Sequence, residues 1–540
     1  MWQQNYTPVV GSLAFSALVA AVPIFTLLYL LGVKRNPAWK SALSGLAVAA
    51  AVALVFYRMP AGTMLSAVGF GAAFGLFPIG WVVFTAVLLY RITVETGKFE
   101  IVKDSVGSIT EDRRLQALLI AFAFGAFVEG AAGFGTPVAV AAAMLTGLGF
   151  SPFYAAAICL LANTAPVAFG SIGTPILTLH AVTGLPLETL SATVGRICAP
   201  ISFIVPAYLI GVMGGRSALK GVLPAVAVCG GVFAATQLVV SNTLGPQVTD
   251  ILSSLAAMGG LVVLFSVWKP GDRFTLEGNH TAQVTSKRHS ARQLWLAWGP
   301  YIILVVLVLM WGLVKATLNE ATVTVAWPGL NEQILQVPPV VTAPAAYKAL
   351  YRFEWLAAPG TACLIASILS AFLLRMSAAR FARVFWTTMK QLFFSEVTIA
   401  SVLALAFLMN YSGATATLGL AFAATGVLFP YFSAMLGWLG VFLTGSDTSA
   451  NALFGNLQVV TAGRLGLSPV LMAAANSSGG VMGKMISLQS IAVAAAATGM
   501  APAEEAKLFR FTLGHSILLA SLIGCITVFY AYLAPFWVPQ

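Results

Sequence analysis

Long apolar runs dominate the chain, and each ends at a charged or turn-rich stretch. Runs near 9–32, 41–57, 64–90, 221–241, 251–268, 295–315, 355–374, 391–410 and 512–535 reach or approach the roughly 20 residues that a helix needs to cross a bilayer. Two longer stretches, around 116–180 and 414–500, are broken by Gly and Pro. By length, the pattern predicts about 12 to 14 membrane crossings. The alternation of barrel strands is absent, and lipid offers no partner to an unpaired backbone group, so the crossings are expected to be helical. The expected fold is an all-α polytopic membrane protein.

Composition sharpens this picture. Of 540 residues, 59% are hydrophobic and 8% are charged, against about 25% charged in an ordinary soluble domain. So few charges cannot build a normal water-facing surface. The first apolar run has no basic segment before it, and the chain stays apolar throughout, so it is not expected to be a cleaved signal. The cysteines (Cys159, Cys198, Cys229, Cys363, Cys525) sit singly in apolar runs, without metal-ligand spacing, and are expected to pack as small residues. A net charge of +11 raises the question of nucleic acid. The basic residues are scattered over short loops, as membrane topology requires, so no nucleic-acid partner is expected.

Those basic residues predict orientation. Lys34, Arg35 and Lys40 follow the first run, and Lys98, Lys103, Arg113 and Arg114 lie in 92–115. Lys269, Arg273, Lys287, Arg288 and Arg292 lie in 269–294, and Arg375, Arg380, Arg383 and Lys390 follow 355–374. Placing all four groups inside puts the N-terminus outside. The 316–353 segment, rich in Pro, Val and Thr, is then external. The expected organisation is a first transmembrane half over 1–268, a cytoplasmic loop over 269–294 and a second transmembrane half over 295–540.

The two long interrupted stretches carry features in the same order. Residues 127–139 read Phe-Val-Glu-Gly-Ala-Ala-Gly-Phe-Gly-Thr-Pro-Val-Ala, and 442–454 read Phe-Leu-Thr-Gly-Ser-Asp-Thr-Ser-Ala-Asn-Ala-Leu-Phe. Each is followed by a Ser-Pro step, Ser151-Pro152 and Ser468-Pro469. Then come Asn163-Thr164-Ala165-Pro166 and Asn476-Ser477-Ser478-Gly479, and after them Gly170-Ser171-Ile172-Gly173-Thr174-Pro175 and Gly483-Lys484-Met485-Ile486-Ser487. Two related halves, each with broken or re-entrant helices, are therefore expected. Paired breaks of this kind point to a transporter binding site, because freed backbone groups are tolerated at membrane depth only beside protein, water or substrate. The competing explanation is that the glycines merely let helices pack closely.

A charge at the bilayer centre costs about 2.5–3.5 kcal/mol or more, so each one needs a reason. Glu129 is the lone charge between Arg114 and Glu188. It is a candidate for a carboxyl group that gains and loses a proton during transport, or for a brace of the broken helix. Asp447, in the matching place of the second half, is a candidate second proton site or a helix N-cap. Glu396, near Lys390, is expected at the interface. Lys484 is the first choice for the partner of a substrate carboxylate, with a structural pair to Asp447 or Glu129 as the alternative. Arg196 is a weaker candidate near a helix end. His180 and His515 are candidate proton relays, or packing residues. The Asn-x-Ser/Thr matches at Asn5, Asn279, Asn410 and Asn476 are expected to be chance. No phosphate-binding loop, zinc spacing or nucleophile elbow is present, which argues against a primary pump or a membrane enzyme and implies no cofactor.

At these same clusters the chain resembles the bacterial L-lactate permease family. The resemblance rests on Glu129-Gly130-Ala131-Ala132-Gly133-Phe134-Gly135, on Asn163-Thr164-Ala165-Pro166-Val167-Ala168-Phe169-Gly170, and on the run from Gly437-Trp438-Leu439-Gly440 through Thr444-Gly445-Ser446-Asp447-Thr448-Ser449. Gly479-Gly480-Val481-Met482-Gly483-Lys484-Met485-Ile486-Ser487, Phe509-Arg510-Phe511-Thr512 and His515 add to it. It extends from Trp2-Gln3-Gln4-Asn5-Tyr6 to His515, with 269–294 and 316–353 matching less clearly. It implies a secondary carrier of the bacterial inner membrane, surrounded by lipid, that imports lactate or glycolate with protons. A sodium-coupled carboxylate carrier and a passive anion channel are the rivals.

A monocarboxylate brings two oxygens and one negative charge, and lactate adds a hydroxyl. The candidate substrate residues are Asn163, Thr164, Ser171 and Thr174 in the first half, and Asn476, Ser477, Ser478 and Ser487 with Lys484 in the second.

Overall fold

The computed structural model describes residues 1–133, 135–272, 274, 289–500 and 502–539. Phe134 of the first motif, Arg273, Lys287 and Arg288 of the basic loop, and Asn279 lie outside the described residues. Among the described residues, 11 helices are long and apolar enough to cross a membrane, and up to 13 if each of two bent helix pairs is one span. Large apolar side chains such as Phe25, Val263, Phe372 and Phe393 point outward, as a lipid-facing surface requires.

Three helices run to 35 residues: Ala61–Glu95, Leu187–Gly221 and Ala378–Ser412. The first kinks at Phe77 (φ −145°, ψ 124°), just before Pro78, since proline removes a ladder bond and crowds the preceding turn. The freed Phe77 carbonyl accepts a 2.9 Å bond from the Tyr351 hydroxyl.

Tyr351 belongs to a small β region that the apolar pattern does not predict. Val323–Ala326 pairs antiparallel with Leu350–Phe353, while Trp2–Gln3 lies parallel to Ile334–Gln336, which pairs with Ala345–Ala346. These strands are too short and irregular to leave a period in the sequence. Just beyond the first strand, the Gln4 amide donates to the carbonyls of Asn410 (3.0 Å) and Tyr411 (2.9 Å), tying the N-terminus to the end of Ala378–Ser412.

The centre is built from two units of the same plan. In the first, Arg113–Ala131 breaks and continues as Thr136–Gly147; then Pro152–Ala162, a short 3-10 turn at Val167–Phe169 and Gly170–Thr183 form a broken helix pair bent by 65°. In the second, Phe429–Thr444 breaks and continues as Asp447–Leu465; Pro469–Gly483, a 3-10 turn at Lys484–Ile486 and Leu488–Thr498 form a broken helix pair bent by 42°. Both bent pairs start alike: Ser151 and Ser468 cap their helices by accepting bonds from Tyr154 N (3.4 Å) and Leu471 N (3.2 Å), each with proline next. Serine satisfies an orphan amide, and proline at the first helical position has none to satisfy.

The units interlock. Asp447–Leu465 packs on Gly170–Thr183, and Leu488–Thr498 packs on Thr136–Gly147. Close packing by glycine is real at particular positions: a Cβ on Gly437 would overlap the Asn476 carbonyl, and one on Gly479 the Ala434 carbonyl. These glycines bring Phe429–Thr444 and Pro469–Gly483 into backbone contact, as small residues do in membrane helix pairs. The chain's glycines thus divide between packing and breaking, rather than serving one purpose.

Candidate functional site

The first unit breaks twice at neighbouring places. Gly133 lies between the halves of the first broken helix, and a Cβ there would overlap Ser171 Oγ in the break of the bent pair. Ser171 and Ile172 hold left-handed backbone (φ 46° and 57°), followed by Gly173 (φ 73°). Such angles cost about 1–3 kcal/mol in a residue with a side chain, and persist where surrounding structure demands them. The Ser171 hydroxyl donates to the Ala132 carbonyl (3.3 Å), so one break satisfies a backbone group that the other leaves free.

Glu129 lies four residues before Gly133, about one helical turn away, and is 4% exposed. Its Oε2 accepts a 3.2 Å bond from the Asn163 amide. Its Oε1 lies against Gly170: a Cβ there would come within 2.6 Å of it. The Asn163 carbonyl oxygen is itself buried without a protein partner.

The second unit holds Asp447 in the first turn of Asp447–Leu465, 3% exposed. The N-cap expected of Asp447 is in fact Ser446, whose hydroxyl accepts from Ser449 N (3.3 Å). The break ends one residue earlier than the motif suggests, because Gly445 (φ 74°) supplies the left-handed turn that closes the preceding helix. That frees the Asp447 carboxylate: Oδ2 accepts from Ser477 Oγ (2.7 Å) and, at 3.5 Å, from Asn451. Its Oδ1 has no partner and lies against Gly480, where a Cβ would overlap it. Each of these two buried carboxylates therefore rests on a glycine of the bent helix pair that follows it in its unit, Glu129 on Gly170 and Asp447 on Gly480.

Lys484 lies in the 3-10 turn of the second bent pair, only 8% exposed. Its ammonium donates to the Gly445 carbonyl at 2.9 Å. It is within electrostatic range of both Glu129 and Asp447, yet makes no direct ion pair with either, so the structural pair considered for it is not formed. An ammonium has three donors; one is spent on the Gly445 carbonyl that the helix break has released.

A polar chain joins the units. The Asn451 amide donates to the Pro175 carbonyl (3.1 Å) and to Ser477 Oγ (3.0 Å). The Asn476 amide donates to Asn451 Oδ1 (3.0 Å), and the Gln458 amide donates to Asn476 Oδ1 (3.0 Å).

All the expected site residues are buried, and they divide. Glu129 with Asn163, and Asp447 with Ser477 and Asn476, are brought into networks. Ser478 Oγ has no hydrogen-bond partner and lies beside the Cys198 thiol. Thr164 and Thr174 instead bond back to the Leu161 and Ser171 carbonyls of their own turns. Ser487 caps Leu488–Thr498 and donates to Ser490 Oγ (2.8 Å).

Outside the cluster, Arg196 is held by Asn242 Oδ1 (2.9 Å) and the Trp537 carbonyl. His180 Nδ1 lies 2.6 Å from the Leu185 carbonyl, and His515 lies against the Tyr208 hydroxyl. Glu396, expected at the interface from its nearness to Lys390, packs against Gly80 at the kink of Ala61–Glu95, with Oε1 buried and unpartnered.

Sequence reasoning missed Asn451, Gln458 and Asp250. The first two were legible, since Asp447, Asn451 and Gln458 recur at helical spacing on one face. Asp250, buried in the first turn of Thr249–Val267, reads in sequence as an ordinary acidic helix start. A cavity of about 720 Å³, lined by Gln3–Thr7, Val337–Pro339 and Arg464, lies at the other end of the helix that Asp447 begins. Among the described residues, no group of three or more His, Cys, Asp or Glu could hold a metal.

Fold and site together define a polytopic membrane protein in which two broken-helix units bring buried ionisable groups to their breaks, as transporter binding sites do. The L-lactate permease family model matches residues 16–534. The chain is 46% identical over 568 residues to an L-lactate permease of Bacillus subtilis (strain 168) and 43% identical over 551 residues to one of Escherichia coli (strain K12), each match covering 100% of both chains. It is 45% identical to a glycolate permease of Escherichia coli (strain K12), over 98% of both. This chain belongs to the L-lactate permease family and is a multi-pass protein of the bacterial inner membrane.

Proposed function

We propose that the protein imports L-lactate or a related 2-hydroxy-monocarboxylate such as glycolate by proton symport. The observation that carries the reading is the concentration of uncommitted buried polar groups in the two units. Lys484 keeps donors beyond its one bond, and Asn163 Oδ1, Asp447 Oδ1 and Ser478 Oγ lack protein partners. Native proteins leave few buried polar atoms unpaired, and a bound substrate accounts for these. In this reading the Lys484 ammonium meets the substrate carboxylate, while Asn163, Ser477 and Ser478 meet its hydroxyl and remaining lone pairs. Glu129 carries the proton. The family relatives, named for L-lactate and glycolate, support the substrate class.

The test is uptake of labelled L-lactate into proteoliposomes under an imposed pH gradient, with and without sodium. Accumulation above equilibrium that follows the pH gradient and ignores sodium is expected. Accumulation that needs a sodium gradient replaces the proton with Na⁺, and equilibration without accumulation marks a passive channel.

A further inference from the structure

Asp250 is the least accounted-for group in the protein. It is 1% exposed, and neither carboxylate oxygen has a hydrogen-bond partner. An unpaired charge so buried is expensive, and natural proteins neutralise it, pair it or use it. Nothing in its own helix explains it: Ser253 and Ser254 bond back to the Thr249 and Ile251 carbonyls.

What Asp250 faces is the first broken unit. Thr249–Val267 packs on the end of Arg113–Ala131, and the approach is closest at the residue after Glu129. A Cβ built on Gly130 would lie 2.8 Å from Asp250 Cβ and 3.0 Å from Ile251 Cγ1. Gly173, in the break of the bent pair, is pressed the same way against Pro246 in the turn before Asp250. Asp250 is thereby brought within electrostatic range of Glu129. The other titratable group in its range is the Cys198 thiol of Leu187–Gly221, which is also near Asp447. Lys484 is within range of Glu129 from the far side. Asp250 thus meets carboxyl and thiol groups and no direct cationic partner.

We propose that Asp250 and Glu129 hold the transported proton as one coupled pair. The two carboxyl groups make no direct hydrogen bond to each other, but two buried negative charges within electrostatic range repel, and one proton on the pair removes the repulsion. The proton comes from water on one side of the membrane and returns to water on the other; an O–H bond forms and later breaks, and no electron moves. The pair sits beside the place where the two breaks of the first unit touch. This inference rests on the proton-symport reading and adds a residue to it.

The test is the pH dependence of L-lactate binding to purified protein, measured by titration calorimetry. Where one proton must bind with each lactate, affinity falls about tenfold per unit of rising pH. Wild type and Asp250→Glu are expected to show that slope, and Asp250→Asn to lose most of it while still binding lactate. A full slope in Asp250→Asn overturns the inference. Loss of binding at every pH in both Asp250→Asn and Asp250→Glu also overturns it, by marking Asp250 as a packing residue. A wild type with no slope removes the proton-symport reading itself, which is a different failure from a wild-type slope that Asp250→Asn retains.

Discussion

The two broken-helix units share a plan and differ in how they treat their carboxylate. Asp447 follows its break and is held by Ser477 and Asn451 in a network that runs on through Asn476 to Gln458. Glu129 precedes its break and accepts one bond from Asn163, and the next residue, Gly130, packs against Asp250, whose carboxyl group is within electrostatic range of Glu129. The second unit also carries the cation, Lys484. A carboxylate fixed by several donors serves to position its neighbours; one with a single donor and a carboxyl neighbour is free to exchange a proton. The difference suggests a division of labour, with substrate held mainly by the second unit and the proton by the first.

The largest expected effect separates the two roles directly. Glu129→Gln keeps the shape of the side chain and removes its titration. It should abolish accumulation driven by a pH gradient in proteoliposomes while leaving the protein folded in the membrane. Accumulation at the wild-type level would leave Glu129 as a brace only, and the units would no longer differ in the way described.

Next in size is Lys484→Met, which keeps much of the stem and deletes the charge. Losing a charged hydrogen bond to substrate costs about 1.5–3 kcal/mol, or roughly tenfold or more in affinity. Direct binding of L-lactate is the measurement, and normal affinity would return Lys484 to a structural role.

Asn451→Ala tests the positioning network. It leaves the Pro175 carbonyl and part of the Asp447 and Asn476 environment unpaired, at a cost of about 1–3 kcal/mol. The expected signature is a lower melting temperature in detergent together with weakened binding. An unchanged melting temperature would mean that the units are not joined through Asn451.

The smallest effect lies away from the units. Arg114, fully buried, bonds Asp112 and Asp272, and its hydrogen bonds hold the Asp272 carboxyl below the ordinary carboxylate range. A group whose folded value is depressed contributes above its unfolded value, about 3.9 for Asp, and loses that contribution as the pH falls through the folded one. Asp272→Asn should therefore lower the melting temperature slightly at pH 7 and leave it unchanged in acid below the depressed value. A difference that persists in strong acid would assign the effect to packing.

Much of this protein is legible without coordinates. Run length and the scarcity of charge dictate a helical membrane bundle, because lipid leaves no alternative for backbone polar groups. The ordered recurrence of Ser-Pro, Asn-rich and Gly-rich steps marks two broken-helix units, since serine, proline and glycine act through local backbone chemistry. The lone charges Glu129, Asp447 and Lys484 stand out because any intramembrane charge demands a reason. Only the tertiary structure decided the rest. Whether Asp447 caps its helix depends on where Gly445 turns the chain, a matter of one residue. Which glycines pack and which make room for a carboxylate depends on what lies opposite, and Gly479 and Gly480 are neighbours with different duties. Asp250 is more than a hundred residues from Glu129 in sequence. Its meaning comes from two helices crossing at Gly130, and pairing across such a distance leaves no local pattern to read.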